Sequence, residues 1–220
     1  FWYFLTGTIW SPGVANSQFG ALPIFAGTFV ITIIALLVAI PIGLGSAIYM
    51  SEYASSKLRD YLKPILEILA GIPTVVYGFF AAITVAPLVV KVAAFFGLEA
   101  TFNSALASGI VMGIMIIPLI SSLSDDVIRA VPDSQRKAAF ALGMTHGETI
   151  KNIVIPSAMP GIISASLLAL SRALGETMIV VMAAGLRPNL SWNPLEDMTT
   201  VTVTIVNSLV GDFEFNSPET

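Results

Sequence analysis

The sequence predicts an all-α membrane protein, a bundle of spanning helices, and three observations carry that prediction. Of its 220 residues, 55% are hydrophobic. Only 11% are charged, whereas soluble domains carry about 25%. The mean hydropathy is +0.86, and a water-soluble globule of this size cannot bury so much apolar surface. The apolar residues also form long uncharged runs, so the bilayer is the expected solvent.

Four of these runs are long enough to cross hydrocarbon, which needs about 20 residues. We expect proline and glycine to interrupt two of them, at Pro41 to Gly45 and at Gly71 to Pro73, because proline removes a backbone donor. All four runs fall within one predicted permease domain, 1–220. The predicted spans are 24–50, 64–90, 104–123 and 157–186.

The basic residues predict how the chain is oriented. Seven of the ten Lys and Arg residues lie in the connections 51–63 and 124–156. Since short cytoplasmic loops are enriched in basic residues, these connections should face the cytoplasm in a multi-pass protein of the cell (inner) membrane. The aromatic stretch from Phe1 and the short segment 201–210 lead us to expect one further helix on each side of the chain.

The composition excludes several function classes. The sequence has no Cys and a single His, His146, so it lacks the usual metal ligands and catalytic triads. A net charge of -4 does not suit a nucleic-acid-binding protein. There is no P-loop sequence for ATP. We therefore predict a protein that is not an enzyme and binds no cofactor or metal itself.

The connection 124–156 contains the most informative polar pattern. Pro132 and Asp133 predict the start of a short helix, and Gly143 predicts its end because glycine adopts the left-handed cap readily. Thr145 followed three residues later by Glu148 is a capping box, which predicts a second short helix. The connection is thus expected to fold as helix, glycine turn, helix.

The same segment resembles the EAA loop of ABC-importer permeases, a Glu-Ala-Ala run followed at fixed spacing by Gly and by Ile-x-Leu-Pro. Lys137 stands in place of the Glu and Ile155 in place of the Leu, while the spacing is intact. In that family the loop forms a coupling helix that docks on an ATPase subunit. The resemblance implies this coupling role for Lys137, Ala138, Ala139, Gly143, Thr145, Glu148, Ile153 and Pro156.

Two further segments, Arg172 to Met178 and Glu67 to Gly78, resemble signatures of the phosphate-importer permeases of the PstC kind. The similarity runs from about Phe19 to Phe213. It implies a type I ABC-importer permease-like helical bundle embedded in lipid. The implied partners are two ATP-binding-cassette ATPase subunits that carry ATP and Mg, a second, PstA-like permease and an external phosphate-binding protein.

Arg172 and Glu176 are the two charges in the middle of the fourth predicted span. Residues four apart share a helix face, and a charge at the bilayer centre costs at least about 2.5–3.5 kcal/mol, so the pair should face the protein interior. We hypothesise that Arg172 binds phosphate in transit and that an ionised Glu176 accepts a hydrogen bond from the P–OH group of that phosphate. Mutual neutralisation that only clamps helices is the alternative. Weaker candidates on the path are Thr177, Thr74 and Tyr77.

These features predict the permease subunit of an ATP-driven phosphate importer that works by alternating access. Two alternatives stay open at this point. One is a permease of the same architecture for another oxyanion, such as molybdate or phosphonate. The other is an ion-coupled carrier or channel without an ATPase, in which Arg172 and Glu176 form a relay.

Overall fold

The computed structural model describes residues 2–11 and 18–210. Its helices, in chain order, are α1 (Trp2–Thr6), α2 (Leu22–Ile48), α3 (Ser56–Ala70), α4 (Thr74–Phe80), α5 (Ala86–Phe95), α6 (Ala105–Arg129), α7 (Asp133–Ala141), α8 (His146–Thr149), α9 (Ile155–Leu174), α10 (Met178–Ala183) and α11 (Val201–Val210). Three π-helical turns are also present in the described residues: Tyr49–Tyr53, Ala81–Val85 and Ile150–Val154. An antiparallel pair of short strands, β1 (Trp10–Ser11) and β2 (Gln18–Phe19), precedes α2.

Four helical stretches are long and apolar enough to cross a membrane, which confirms the predicted fold class. Each includes at least one α-helix, and three of them also include a π-helical turn. Because a helix satisfies its backbone hydrogen bonds internally, it is the natural structure for such apolar stretches. The stretches are Leu22–Tyr53, Thr74–Phe95, Ala105–Arg129 and His146–Leu174.

The second predicted span, 64–90, begins too early. Residues 64–70 belong to α3, which starts near Ser55, whose side chain accepts a hydrogen bond from the Leu58 N–H at 3.4 Å. This helix carries four charged residues in its first half and is amphipathic rather than spanning. The expected break at Gly71 to Pro73 is confirmed, and the spanning stretch begins after it, at Thr74.

The expected interruption of the first span is wrong, because α2 continues through Pro41. Gly43 has a packing role instead: a Cβ built on it would lie 2.9 Å from the Ile120 Cβ, so the missing side chain lets α2 and α6 approach closely. Ser46 Oγ accepts a hydrogen bond from Ser121 Oγ at 3.0 Å along the same contact. The helix departs from α geometry only later, in the π-helical turn Tyr49–Tyr53.

By internal packing the described residues divide into two compact units. Unit 1 contains the described residues of Phe1–Ala35, Pro73–Gly113 and Ala173–Thr220. Unit 2 contains Leu36–Ile72 and Ile114–Arg172. The single permease domain over 1–220 stays a prediction.

In unit 1, α10 and the connection that follows it supply hydrogen-bond acceptors for the N–H groups at the start of α6. The first N–H groups of a helix have no partner within it. Here the Ser104 N–H donates to the Ala183 carbonyl at 3.0 Å, and the Ala105 N–H donates to the Glu196 carbonyl at 3.1 Å. Hydrogen bonding from Ser191, Asn193 and Asn189 holds the pKa of the Glu196 carboxyl below its usual value. The connection is therefore an ordered structure.

In unit 2, an apolar cluster joins the ends of three helices. It packs α2 against the C-terminal part of α6 and the first half of α9. Gly161 on α9 faces Val127, and an added Cβ would overlap the valine side chain, so this contact requires glycine. The buried members of the cluster are Ala47, Ile128, Val131, Val154, Ala158 and Ile162.

Two glycines on α2 give a matched test of where a close contact requires glycine. A Cβ on Gly27 would overlap the Thr199 carbonyl oxygen, whereas a Cβ on Gly45 meets nothing within 4 Å. We expect Gly27→Ala to destabilise the folded protein by about 1–3 kcal/mol. We expect Gly45→Ala to be neutral or to stabilise it by about 0.5–1 kcal/mol. Thermal unfolding in detergent measures both, and equal effects of the two substitutions would contradict the structure.

Candidate functional site

The predicted fourth span is interrupted beside the two charges expected in its middle, and the spanning stretch of the structure ends at Leu174. The predicted continuous span 157–186 is wrong, because α9 ends at Leu174 and α10 begins at Met178. Gly175 has low helix propensity. The Glu176 N–H bonds the Ala173 carbonyl at 3.2 Å, the tight turn that often ends a helix. Three residues therefore separate two helices.

Glu176 is buried in this break, with 8% of its surface exposed. Its Oε1 accepts hydrogen bonds from the N–H groups of Met178, at 3.1 Å, and Ile179, at 3.4 Å. These are the first two N–H groups of α10, so the carboxylate acts as that helix's cap. Its Oε2 accepts no hydrogen bond from the residues that the structure describes.

The prediction that Arg172 and Glu176 share one helix face is wrong for the same reason. Arg172 lies in the last turn of α9, and Glu176 follows the helix end, so the spacing of four residues no longer aligns them. The Arg172 side chain is exposed. Across 2–11 and 18–210, no salt bridge includes either residue.

One threonine hydroxyl bonds the break directly and two more lie along the same segment, and the sequence reasoning missed all three. Thr202 Oγ1 donates to the Glu176 carbonyl at 3.1 Å and lies 3.0 Å from Thr200 Oγ1. The Val201 N–H donates to Thr28 Oγ1 at 3.1 Å, which ties α11 to α2. The available signal was the alternation of Thr and Val over 200–204, which is unusual beside spans that are otherwise apolar.

The weaker path candidates lie on the elements next to the break. Thr177 Oγ1 lies 3.5 Å from the carbonyl oxygen two residues before it. Thr74 begins α4, and Tyr77 is half-buried within it. This helix packs against α10 at Gly78, where an added Cβ would lie 2.6 Å from the Met182 sulfur. Unit 1 thus contains Thr74, Tyr77, Glu176 and Thr177, whereas Arg172 belongs to unit 2.

The predicted helix, glycine turn and helix of the connection 124–156 are confirmed. α7 begins at Asp133, and Gly143 has a φ of 81°, in the left-handed region that favours glycine. The capping box is also present. The Thr145 N–H donates to Glu148 Oε2 at 2.8 Å, and the Glu148 N–H donates to Thr145 Oγ1 at 3.4 Å.

A groove of about 530 Å³ lies beside α7. Of the predicted coupling residues, Ala139 is buried, Ile153 is half-buried, and Lys137, Ala138 and Pro156 are exposed. The small alanine side chains leave the groove open. It is lined by Gln135, Ala138, Ala139, Leu142, Met144, Asn152, Ile153, Pro156 and Ser157.

Three ion pairs, which the sequence reasoning also missed, join the helices around this connection. Arg59 on α3 lies 3.5 Å from the carboxylate of Asp125, and Lys63 lies 2.7 Å from that of Asp126. The third pair joins Arg136 on α7 to Glu52. The signal for Glu52 was its place directly after a long uncharged run. Within the described parts of the chain, no cluster of His, Cys, Asp or Glu could hold a metal ion.

Four helical stretches long and apolar enough to cross a membrane, with a folded polar connection before the fourth, define a multi-pass membrane protein. The chain belongs to the family of binding-protein-dependent transport system inner membrane components, whose model matches residues 39–206.

Curated relatives match nearly the whole chain. A probable ABC transporter permease protein, YqgH, of Bacillus subtilis is 36% identical over 98% of this chain and 68% of its own length. The phosphate transport system permease protein PstC of Mesorhizobium japonicum is 35% identical over 97% of this chain and 70% of its own. The PstC protein of Xylella fastidiosa is 34% identical over 93% and 67%.

Solved structures show the same fold at lower identity. The inward-facing MetNI methionine ABC transporter matches with a TM-score of 0.57 and 20% identity, over 76% of this chain and 74% of that chain. An amino acid ABC transporter matches with a TM-score of 0.52 and 19% identity, over 86% and 79%. Both place this chain in the permease fold of ABC importers.

Glu176 permits a test that separates its capping role from its charge. Glu176→Gln keeps an acceptor oxygen for the Met178 and Ile179 N–H groups, whereas Glu176→Ala removes it. We expect the Ala variant to lose about 1 kcal/mol of folding stability, the usual cost of a lost cap, and the Gln variant to lose less. Thermal unfolding in detergent compares them. An equal loss in both variants would contradict the capping role.

Proposed function

We propose that this chain is the permease subunit of an ATP-driven importer of inorganic phosphate, which it moves across the membrane by alternating access. The observation that carries the proposal is the family match together with PstC relatives 34–35% identical over more than nine-tenths of the chain. Membership of a binding-protein-dependent family favours this function over an ion-coupled carrier.

The proposed assembly follows from that family. Two ATP-binding-cassette ATPase subunits bind ATP and Mg and supply the energy, since this sequence has no P-loop of its own. A second, PstA-like permease completes the membrane part, and an external binding protein delivers phosphate. The connections 51–63 and 124–156, which contain most of the basic residues, lie on the cytoplasmic side of the inner membrane.

We assign a separate role to each midspan charge. Arg172, exposed at the end of α9 and outside any salt bridge in the described residues, offers its planar guanidinium to phosphate oxygens. Glu176 accepts hydrogen bonds from α10 with Oε1, which leaves Oε2 to accept a hydrogen bond from the P–OH group of phosphate. Sulfate has no such proton near neutral pH, so a buried carboxylate disfavours it. Thr74, Tyr77 and Thr177 serve as secondary polar groups.

The coupling role falls to the connection with α7 and α8. Phe140 and Leu142 project from it with 48% and 81% of their surface exposed, although both are apolar. Beside them lies the groove lined by Ala138, Ala139, Ile153 and Pro156. Exposed apolar residues next to an open groove are typical of a protein-binding surface. We assign this surface to an ATPase subunit.

Phosphate uptake by the complete complex in proteoliposomes tests the transit roles. We expect Arg172→Lys and Glu176→Gln each to lower the uptake rate by about tenfold or more, because each removes a hydrogen bond to a charged group. Glu176→Gln should also weaken the preference for phosphate over sulfate in competition.

Arg187→Lys is the matched control, since Arg187 is an exposed arginine that the proposed path does not include. Near-normal uptake with both Arg172→Lys and Glu176→Gln would refute the transit roles. Competition by molybdate or phosphonate as strong as that by phosphate would show a different oxyanion as substrate.

A further inference from the structure

Arg136 connects α7 to two other helices of unit 2 through a single side chain. Its Nη1 donates to Glu52 Oε1, in the π-helical turn Tyr49–Tyr53 that continues α2. Its Nη2 donates to the Ile128 carbonyl at 3.0 Å, in the last turn of α6. A guanidinium can hold both acceptors at once because its donors are fixed in one plane. Arg136 therefore joins the ends of α2 and α6 to α7.

The ion pair between Arg136 and Glu52 is largely shielded from solvent. The Arg136 side chain is 18% exposed and that of Glu52 is 6% exposed. Asp133, 3.8 Å from Arg136 Nε, is 84% exposed and contributes little by comparison. Ser51 Oγ donates to Glu52 Oε1 at 3.4 Å. Removal of one charge of a buried pair leaves the other uncompensated, so the two residues act as a unit.

The position of the link suggests what it does. α7 bears the surface assigned above to an ATPase subunit, and its Arg136 holds it to the helix end at Glu52 through a charge-assisted bond. π-Helical turns often occur at functional sites, and Glu52 lies in one. The apolar cluster of Ala47, Ile128 and Val154 packs the same helix ends together. A movement of α7 therefore acts directly on the ends of α2 and α6.

We propose that the Arg136–Glu52 pair couples ATP-driven movement of α7 to the spanning helices, with Arg136 as a positioning residue that contacts neither substrate nor nucleotide. This inference rests on the proposed function, because it assumes an ATPase docked on α7. It predicts uncoupling rather than simple loss of activity when the pair is broken.

The test uses the complete complex in proteoliposomes and measures phosphate uptake and ATP hydrolysis together. We expect Arg136→Gln and Glu52→Gln to lower the uptake per ATP hydrolysed by about tenfold, within the 5–150-fold range usual for coupling between sites. Hydrolysis itself should persist. The double exchange Arg136→Glu with Glu52→Arg should restore part of the ratio, which a pairwise interaction requires.

Lys63→Gln is the matched control. Lys63 also forms an ion pair in unit 2, with Asp126, but the side chain of Lys63 is 33% exposed and that of Asp126 is 56% exposed. We expect its ratio to equal that of the unmodified protein. An unchanged ratio in both Gln variants, or uptake and hydrolysis that fall in parallel, would overturn the proposal. If those variants do not assemble, Arg136→Lys replaces them. An unchanged uptake per ATP hydrolysed in Arg136→Lys would also overturn the proposal.

A second readout does not depend on the substrate. The sequence has no cysteine, so Leu37→Cys, at a position of α2 that is 69% exposed, accepts a single fluorescent label. ATP should change its fluorescence in the unmodified complex and not in the Glu52→Gln complex. An equal change in both would overturn the coupling role. Absence of phosphate uptake by the unmodified complex would refute the proposed function alone.

Discussion

Every backbone N–H and carbonyl group within the hydrocarbon must find a partner in the protein, and the breaks in the spanning helices depend on this constraint. At 175–177 the backbone leaves helical geometry, which frees the first N–H groups of α10. The Glu176 carboxylate satisfies two of them, and Thr202 donates to the Glu176 carbonyl. A charge that looks costly in an apolar segment is thus part of what allows the break to exist.

Charges elsewhere follow the same logic of internal pairing. Glu52 and Asp125 are almost completely buried, and each has a basic partner on another helix, Arg136 and Arg59 respectively. Arg172 differs, because it is exposed and has no ionic partner among the described residues.

The sequence predicted the features that local spacing determines. The capping box of Thr145 and Glu148, the turn at Gly143 and the four spanning stretches depend on residues close in the chain or on apolar length. The sequence reasoning missed the break at 175–177, and local spacing gave no sign of its contact with Thr202, 26 residues away from Glu176. The Arg136–Glu52 pair was missed because 84 residues separate its members. Helix periodicity carries no information about such distant partners.

We propose that phosphate passes the break at 175–177, and labelling at Thr177 tests this proposal. These 220 residues include no cysteine, so Thr177→Cys introduces a single reactive thiol among them, beside Glu176. In the complete complex, a water-soluble thiol reagent should modify this cysteine, and phosphate delivered by the binding protein should slow the modification, whereas sulfate should not. Modification at the same rate with and without phosphate, or no modification at all, would contradict a phosphate path at this break.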